Sequence, residues 1–172
     1  MSTIDRLAMF PVLLRDIVSN APAALLRTRA RDGRFALVEH SWHLADLEDE
    51  GFGVRIRRLL EEERPILPNF AGDLIAEERR YLEQAAIPAV ERFASQRERN
   101  RECLAGLRPA DLERSGLQEG VGEVSLARLT TMMLEHDLGH ANDLVALLPE
   151  LGLEVPVALV RFAAGARMHP GV

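Results

Sequence analysis

The sequence predicts an all-α protein, an antiparallel four-helix bundle with short extra helices. Apolar residues recur at steps of three and four along four long segments, which is the periodicity of amphipathic helices. Prolines and glycines lie mainly between those segments, where they end one helix and begin a connection. Hydrophobic residues make up 47% of the chain and aromatic residues only 5%, so aliphatic side chains are expected to fill the core.

The first helix is predicted within residues 4–18, where the apolar positions follow helical spacing. Pro11 lies inside this segment and is expected to kink the helix, since it has no backbone N–H. A short helical turn is expected over residues 22–29, which begin with a proline. The Asp-Gly pair at 32–33 then predicts a turn before the next helix.

The second helix is predicted over residues 35–62, which form the longest helical pattern without proline. Within it, the arginine-rich run 55–58 is followed by glutamates and is interpreted as helix surface. Pro65 and Pro68 end this helix. They begin an irregular stretch, in which residues 72–84 are expected to form a short helix.

The third helix is predicted over residues 88–107, with its proline in the first turn, where a missing N–H costs nothing. Residues 108–123 contain a proline and several glycines and are expected to be a connection. Ser125 is placed to cap the fourth helix, which is expected to continue to about residue 148. The apolar run 155–164 predicts a short helix packed on the end of the bundle.

The length of 172 residues predicts a single domain over residues 1–172. Its core is expected over about 3–150, followed by a C-terminal extension, 151–172. The net charge of −6 argues against a broad nucleic-acid surface, which needs clustered Lys and Arg.

The single cysteine, Cys103, cannot form an internal disulfide and predicts a reducing, cytoplasmic environment. Because it lies between apolar helix positions, a buried structural thiol is expected. The first 20 residues carry charges through their apolar stretch and do not resemble a secretion signal. No segment approaches the ~20 apolar residues that a membrane span requires.

The fourth helix carries two histidines within its apolar stripe, His136 and His140. Residues four apart on a helix lie one above the other, so both rings can direct a nitrogen at one point. Two unpaired polar rings would be costly in a core, which favours a metal ion as their shared partner. The full stripe is Leu126, Leu129, Met133, His136, His140, Leu144 and Leu147.

A third ligand is expected from a facing helix, and the second helix offers His40 and His43. Both lie near its apolar stripe, and periodicity does not choose between them. Neutral imidazole suits zinc, nickel, iron and copper rather than magnesium or calcium. Three protein ligands would leave coordination positions open, which is the arrangement of catalytic sites.

These histidines also have other interpretations. They could be core residues that bind carbonyl or carboxylate groups by hydrogen bonds. The run 136–140 approaches the HExxH signature of metalloproteases, but Asp137 replaces the glutamate base and is one methylene shorter. Asp137 is therefore expected to orient a ligand or to face solvent. A di-iron centre needs two Glu-x-x-His motifs, which the sequence lacks.

Several neighbouring residues have both a structural and a functional interpretation. Trp42 is expected to pack against a neighbouring helix rather than line a cavity. Glu39 and Glu48 could support the ligands by hydrogen bonds, or simply face solvent. The loop that contains Arg64, Asn69 and Asp73 could border an open metal face.

Two motifs together resemble the DinB/YfiT-like superfamily of metal-binding four-helix bundles: E-H-S-W-H-L-A-D-L-E at 39–48 and E-H-D-L-G-H at 135–140. The resemblance extends to R-P-I-L-P-N-F at 64–70, which is similar to the family's loop after the second helix. It also includes G-E-V-S-L at 122–126, which is similar to the lead-in to the last helix. The chain departs from the family at 33–36, G-R-F-A, where a hydroxyl-bearing helix cap is common.

The resemblance implies that His43, His136 and His140 bind one divalent metal ion, with zinc or nickel ahead of iron or manganese. His40 then becomes a supporting or surface residue. Characterised members include transferases and isomerases that use mycothiol, bacillithiol or glutathione. The resemblance therefore implies a metal-dependent transferase, isomerase or hydrolase, in which a small-molecule thiol or activated water attacks an electrophile.

The alternative is a non-catalytic bundle that binds a metal ion or ligand for stability or sensing. A closed coordination shell would favour this alternative, whereas an open shell facing a cavity would favour catalysis. A homodimer is compatible with such a bundle.

Overall fold

The computed structural model describes residues 2–165 and has the predicted four-helix bundle as its frame. The helices are α1 (Thr3–Leu7), α2 (Met9–Asn20), α3 (Leu37–Asp46), α4 (Val54–Glu61), α5 (Gly72–Glu78), α6 (Ala86–Ala105), α7 (Pro109–Leu112), α8 (Leu126–Glu150) and α9 (Val157–Ala164). A π-helical segment, Leu47–Gly53, joins α3 to α4, and a 3-10 turn, Tyr81–Glu83, precedes α6. The strands are β1 (Ile66–Leu67), β2 (Ser115–Gln118) and β3 (Gly122–Ser125).

Four helical stretches enclose the core: α1 with α2, α3 through α4, α6, and α8. Helix α6 packs against both α2 and α3, while α1 lies against α8. Phe10 of α2 is fully buried, and its ring packs edge-on against Phe93 of α6. It also stacks on Phe162 of α9, with 5.4 Å between ring centroids. Helix α9 therefore packs on the bundle, as the sequence predicts, and residues 166–172 of the C-terminal extension lie outside the described residues.

The break in the first helical stretch lies at Ala8, three residues before Pro11. Pro11 has no N–H to donate to the carbonyl of Leu7, four residues earlier. That carbonyl accepts a hydrogen bond from Arg97 Nη1 of α6 instead, at 3.0 Å. The expected kink is present, and the group it frees is bound by another helix.

The short turn expected over residues 22–29 is present as isolated turns rather than as a helix. This segment forms isolated turns, such as the bond from Leu25 N to Pro22 O, and the next helix begins at Leu37.

A three-stranded sheet lies where the sequence predicts only connections. Strand β1 pairs in parallel with β2, and β2 pairs antiparallel with β3. Gly116 permits this arrangement, because a Cβ there would lie 2.5 Å from the Pro65 carbonyl oxygen. Strand β3 leads directly into α8, and Ser125 Oγ accepts from Arg128 N at 3.1 Å, which confirms the predicted cap. The sheet thus fixes where the histidine-bearing helix begins.

Two expectations about individual side chains are wrong. Cys103 is exposed, because the inward face of α6 passes through its neighbours Asn100 and Leu104. Arg55 in the arginine-rich run is buried rather than a surface residue, with 5% of its surface exposed.

Within residues 2–165, none of the helices combines the length and the apolar character that crossing a membrane would need.

Candidate metal centre

The structure brings His43 of α3 together with His136 and His140 of α8. The Nε2 atom of His136 lies 3.2 Å from Nε2 of His43 and 3.1 Å from Nε2 of His140. All three can place one ring nitrogen within 4.8 Å of the others. The four-residue spacing on α8 therefore has the geometric effect expected of it, and α3 supplies the facing ring.

His40 is buried one turn before His43, with 2% of its surface exposed. Its Nδ1 lies 2.7 Å from Nδ1 of His140, so it contacts the far side of that ring rather than the point where the three Nε2 atoms meet. The alternative of a surface residue is wrong, and the structure places His40 in a supporting position. When His140 uses Nε2 as a ligand, its Nδ1 carries the proton and donates it to His40.

Burial keeps the imidazoles neutral. It lowers the pKa of His136 to about 3, with further lowering from the nearby His43 and Arg97. Burial also lowers the pKa of His140 well below its usual value and lowers the pKa of His43. At neutral pH each ring therefore has a nitrogen lone pair available, which is the form that binds metals.

The donor set fits a tetrahedral or similar metal ion. Two nitrogens that each lie about 2.05 Å from zinc in tetrahedral geometry are about 3.3 Å apart, close to the 3.1 and 3.2 Å measured between the Nε2 atoms. Hydrogen bonds between the neutral rings cannot account for both short contacts. His136 Nε2 faces two neighbouring nitrogens and can donate to only one of them. A cation at the meeting point would satisfy all three atoms at once.

Helix α5 closes over the His43 ring. A Cβ at Gly72 would lie 2.4 Å from Cε1 and 2.7 Å from Nδ1 of His43, so only glycine permits this approach. The Nδ1 atom is buried and has no hydrogen-bond partner among residues 2–165. The ring is therefore held by packing, with its Nε2 directed at the other histidines.

Aromatic side chains enclose the cluster on several sides. Phe35 lies 5.7 Å from the His40 ring and 5.6 Å from the His43 ring, centroid to centroid. Phe70 lies 5.9 Å from His43, and Phe52 lies 5.9 Å from His136. These phenylalanines shield parts of the imidazole rings from solvent. Their place around the site could not be predicted from the sequence, because an isolated phenylalanine carries no signal that separates a site wall from the core.

Two cavities reach the cluster. The first has a volume of about 550 Å³ and is bordered by His40, His43 and His140. The second, about 320 Å³, is bordered by His43 and His136. Among the described residues, no further His, Cys, Asp or Glu joins the ligand set. The closed shell that would favour a structural ion is not found there.

The wall of the first cavity carries both positively and negatively charged side chains. Arg34 is paired with Asp143 at 2.9 Å, and Arg29 with the buried Glu39. Of the three loop residues expected to border the site, Asp73 lines this cavity, whereas Arg64 and Asn69 line neither of the two cavities. The charged lining residues are Arg29, Arg34, Asp73, Glu77 and Asp143.

Asp137 is fully buried, so the expectation that it could face solvent is wrong. Its carboxylate receives two bonds from Arg97, at 2.6 and 3.0 Å. Burial raises the pKa of Asp137 to about 6, although Arg97 acts in the opposite direction. Arg97 also donates to Glu48 at 2.8 Å, so one buried arginine links α6 to both histidine-bearing stretches.

The other candidate supporting residues have structural contacts. Glu39 accepts from Ala36 N at 2.9 Å and from Arg29, which fixes the start of α3. Trp42 donates from Nε1 to the Ala85 carbonyl at 3.0 Å and stacks near Tyr81, so it packs as predicted.

Comparisons with known proteins agree with this architecture. The sequence profile of the DinB superfamily matches residues 7–144. Among solved structures, the chain is similar to YfiT from Bacillus subtilis, described as a probable metal-dependent hydrolase with an unusual four-helix bundle topology. The TM-score is 0.81 at 19% sequence identity, over 88% of this chain and 87% of that chain, which shows a shared fold. No curated protein matches the sequence.

Proposed function

Because this chain belongs to the DinB superfamily, we propose that it is a metal-dependent enzyme in which His43, His136 and His140 hold one divalent ion. The observation that carries the proposal is the convergence of three neutral imidazole nitrogens between two cavities. Three protein ligands beside open space are typical of catalytic metal sites rather than structural ones. Zinc and nickel suit an all-imidazole donor set best.

The proposed reaction is hydrolysis of a small electrophilic substrate. A bound zinc-like ion lowers the pKa of the water or thiol that it coordinates, and so supplies a nucleophile near neutral pH. The chain's own residues hold the three imidazoles in place, and Phe35, Phe52 and Phe70 exclude bulk water. The similar fold of YfiT, described as a probable metal-dependent hydrolase, supports this reaction class.

A second candidate is transfer to a low-molecular-weight thiol, and the wall of the first cavity favours it. Asp73 and Glu77 line this cavity without an ion-pair partner among residues 2–165, while Arg29 and Arg34 stand nearby. Thiols such as glutathione or bacillithiol carry both amino and carboxylate groups, which suits a wall of both signs. The cavity volume of about 550 Å³ lies within the usual range for small-molecule sites.

The metal site is tested by elemental analysis of protein purified without a metal-affinity tag. We expect close to one zinc or nickel ion per chain in the wild type, and strong loss in His43→Ala and in His136→Ala. The control is Glu135→Ala, which changes an exposed residue next to His136 that is outside the ligand set and should keep the ion. A metal-supplemented wild type that binds no ion would end the proposal.

The reaction class is tested by comparing metal-loaded and chelated protein. Hydrolysis of activated esters and amides without thiol supports the hydrolase. Conjugation that requires glutathione or bacillithiol supports the transferase. A full complement of metal with neither activity across both panels would favour the non-catalytic alternative.

A further inference from the structure

Arg55 is a buried arginine without a carboxylate partner. Only 5% of its surface is exposed, yet within residues 2–165 no Asp or Glu lies within ion-pair distance of its guanidinium. Its Nε donates to the Pro68 carbonyl at 3.0 Å. The group also lies over the Phe52 ring, 5.7 Å from the centroid. Buried charges are normally paired, so this one calls for an explanation.

The π-helical segment explains how Arg55 comes to face the metal site. Twelve residues of regular α-helix separate His43 from Arg55 and would place them about 120° apart around the axis. The π segment, residues 47–53, has wider turns that accommodate an additional residue. The rotation between His43 and Arg55 is therefore smaller by about 100°, the rotation of one residue in an α-helix. Arg55 thereby falls close to the His43 face, and both residues border the second cavity.

The remaining charges of the second cavity nearly cancel. Arg128 and Glu135 at its border form an ion pair at 2.8 Å, and both are about half exposed. The other lining side chains are apolar or are the histidines: Leu47, Phe52, Phe70, Met132, His43 and His136. Arg55 therefore leaves a net positive charge in an apolar chamber, beside the place where a metal cation would add to it.

The free donors of Arg55 have the geometry for a planar anion. Because Nε is bound to Pro68 and the two terminal Nη groups have no acceptor among residues 2–165, both Nη groups remain for a ligand. A guanidinium with both Nη groups free binds a carboxylate through two parallel hydrogen bonds. Burial lowers the pKa of Arg55 from its usual value, but an arginine still keeps its proton at neutral pH.

We propose that the second cavity binds the carboxylate of an organic acid, with Arg55 holding the carboxylate and the apolar wall holding the body of the acid. A volume of about 320 Å³ suits a small aromatic or branched aliphatic acid. As a statement about the substrate, this inference rests on the proposed function, since it places the reacting group of that acid toward the histidine cluster. The binding itself depends only on Arg55 and the cavity wall.

The test is calorimetric titration of purified, metal-loaded protein with benzoate, with benzamide and with inorganic phosphate. Benzamide has nearly the same shape without the charge, and phosphate has the charge without the apolar body. We expect benzoate to bind and benzamide to bind at least about tenfold more weakly, since a hydrogen bond to a charged group is far stronger. Phosphate should also bind more weakly than benzoate, because it does not bury the apolar wall.

Two variants assign the binding to Arg55. Arg55→Met should weaken benzoate binding at least about tenfold, while its metal content stays at the wild-type value. Arg57→Met on the same helix, whose side chain is exposed, is the matched control and should bind benzoate normally. If Arg55→Met does not fold, Arg55→Lys carries the test, because it keeps the charge, loses the paired donors and should weaken binding by a smaller factor.

The outcomes separate this inference from the proposed function. Equal affinity for benzoate in wild type and both Arg55 variants, or equal affinity of wild type for benzoate and benzamide, would overturn the inference. Absence of benzoate binding to folded, metal-loaded wild type would also overturn it. The wild type could instead hold no metal but bind benzoate, and Arg55→Met could lose that binding. This outcome would support the carboxylate site and end the metal proposal.

Discussion

His40 acts on the proposed centre through a single hydrogen bond. Its Nδ1 is the only partner atom of the His140 Nδ1 among the described residues, and it can accept the Nδ1 proton that His140 carries when Nε2 binds a metal ion. Ligand histidines more often donate to a carboxylate or carbonyl. An imidazole is a neutral acceptor, and burial lowers the pKa of His40 to about 3, so it stays neutral.

We expect His40→Leu to keep the fold and lose metal affinity by about 10- to 100-fold, because His140 then has no acceptor for its Nδ1 proton. His40→Gln, which restores an acceptor oxygen, should recover part of the loss. The measurement is competition for zinc against a chromophoric chelator. Unchanged affinity in a correctly folded His40→Leu protein would mean that packing alone orients His140.

The sequence predicts the histidine cluster better than it predicts the surroundings of the cluster. Spacing on one helix brings out His136 and His140, because both rings follow from a single period. Periodicity leaves His40 and His43 undecided, since both lie near one apolar stripe, and only the motif resemblance favours His43. Arg55 could not be found this way, because its inward position depends on the π turns before it.

Replacing a glycine with alanine should have opposite effects on stability in helices α5 and α8. Gly72 allows α5 to approach the His43 ring closely, whereas a Cβ at Gly139, in the middle of α8, would meet nothing within 4 Å. Gly72→Ala should destabilise the protein by about 1–3 kcal/mol through overpacking and should weaken zinc binding. Gly139→Ala should stabilise it by about 0.5–1 kcal/mol, because alanine favours the helix.

Urea denaturation of both glycine variants, with zinc titrations, measures these effects. The prediction for α5 would be wrong if Gly72→Ala matched Gly139→Ala in stability and in zinc affinity. In that case α5 would be free to move away from His43.

At the level of elements, the long helices and the short helices α5 and α9 were predictable, whereas α7 and the strands were not. Long periodic segments such as 126–150 repeat their signal over several turns, so their existence and approximate ends follow from the sequence. The two-residue strand β1 and the four-residue strands β2 and β3 are too short for any period to be visible. Their pairing depends on Pro65 meeting Gly116, a contact between residues far apart in the chain.

One buried arginine joins all the main parts of the bundle. Arg97 of α6 binds Asp137 of α8, Glu48 of the π segment and the carbonyl of Leu7, which Pro11 leaves free. Arg97→Met should destabilise the protein by about 3–5 kcal/mol, because it leaves two buried carboxylates without their partner. Arg99→Met, at an exposed position on the same helix, should change stability by no more than about 0.5 kcal/mol.

Equilibrium urea denaturation of these α6 variants provides the comparison. Adding Asp137→Asn to Arg97→Met should recover part of the loss, since one unpaired charge is removed. If Arg97→Met and Arg99→Met had the same midpoint, the network would contribute nothing to stability and the helices would be held by apolar packing alone.

The buried histidines make the whole molecule sensitive to acid in the absence of metal. Burial lowers the pKa of His40 and of His136 to about 3, and lowers those of His43 and His140, whereas an unfolded histidine titrates near 6.5. As pH falls below 6.5, the unfolded chain takes up protons that the folded protein excludes. The free energy of unfolding should therefore fall with pH through the window from about 6.5 to 3, by up to about 1.4 kcal/mol per pH unit for each histidine.

Asp137 contributes to the pH dependence of the free energy of unfolding in the opposite direction. Its pKa is raised from 3.8 to about 6, so its contribution is present at low pH and is lost as pH rises through 6. One carboxylate acts against four histidines, and the net stability of EDTA-treated protein should still rise from about pH 5 to 7 and then level off. Urea midpoints across that range measure it, with His136→Gln expected to give a shallower rise; a flat or falling profile would show that the histidines titrate normally and are not held neutral in the fold.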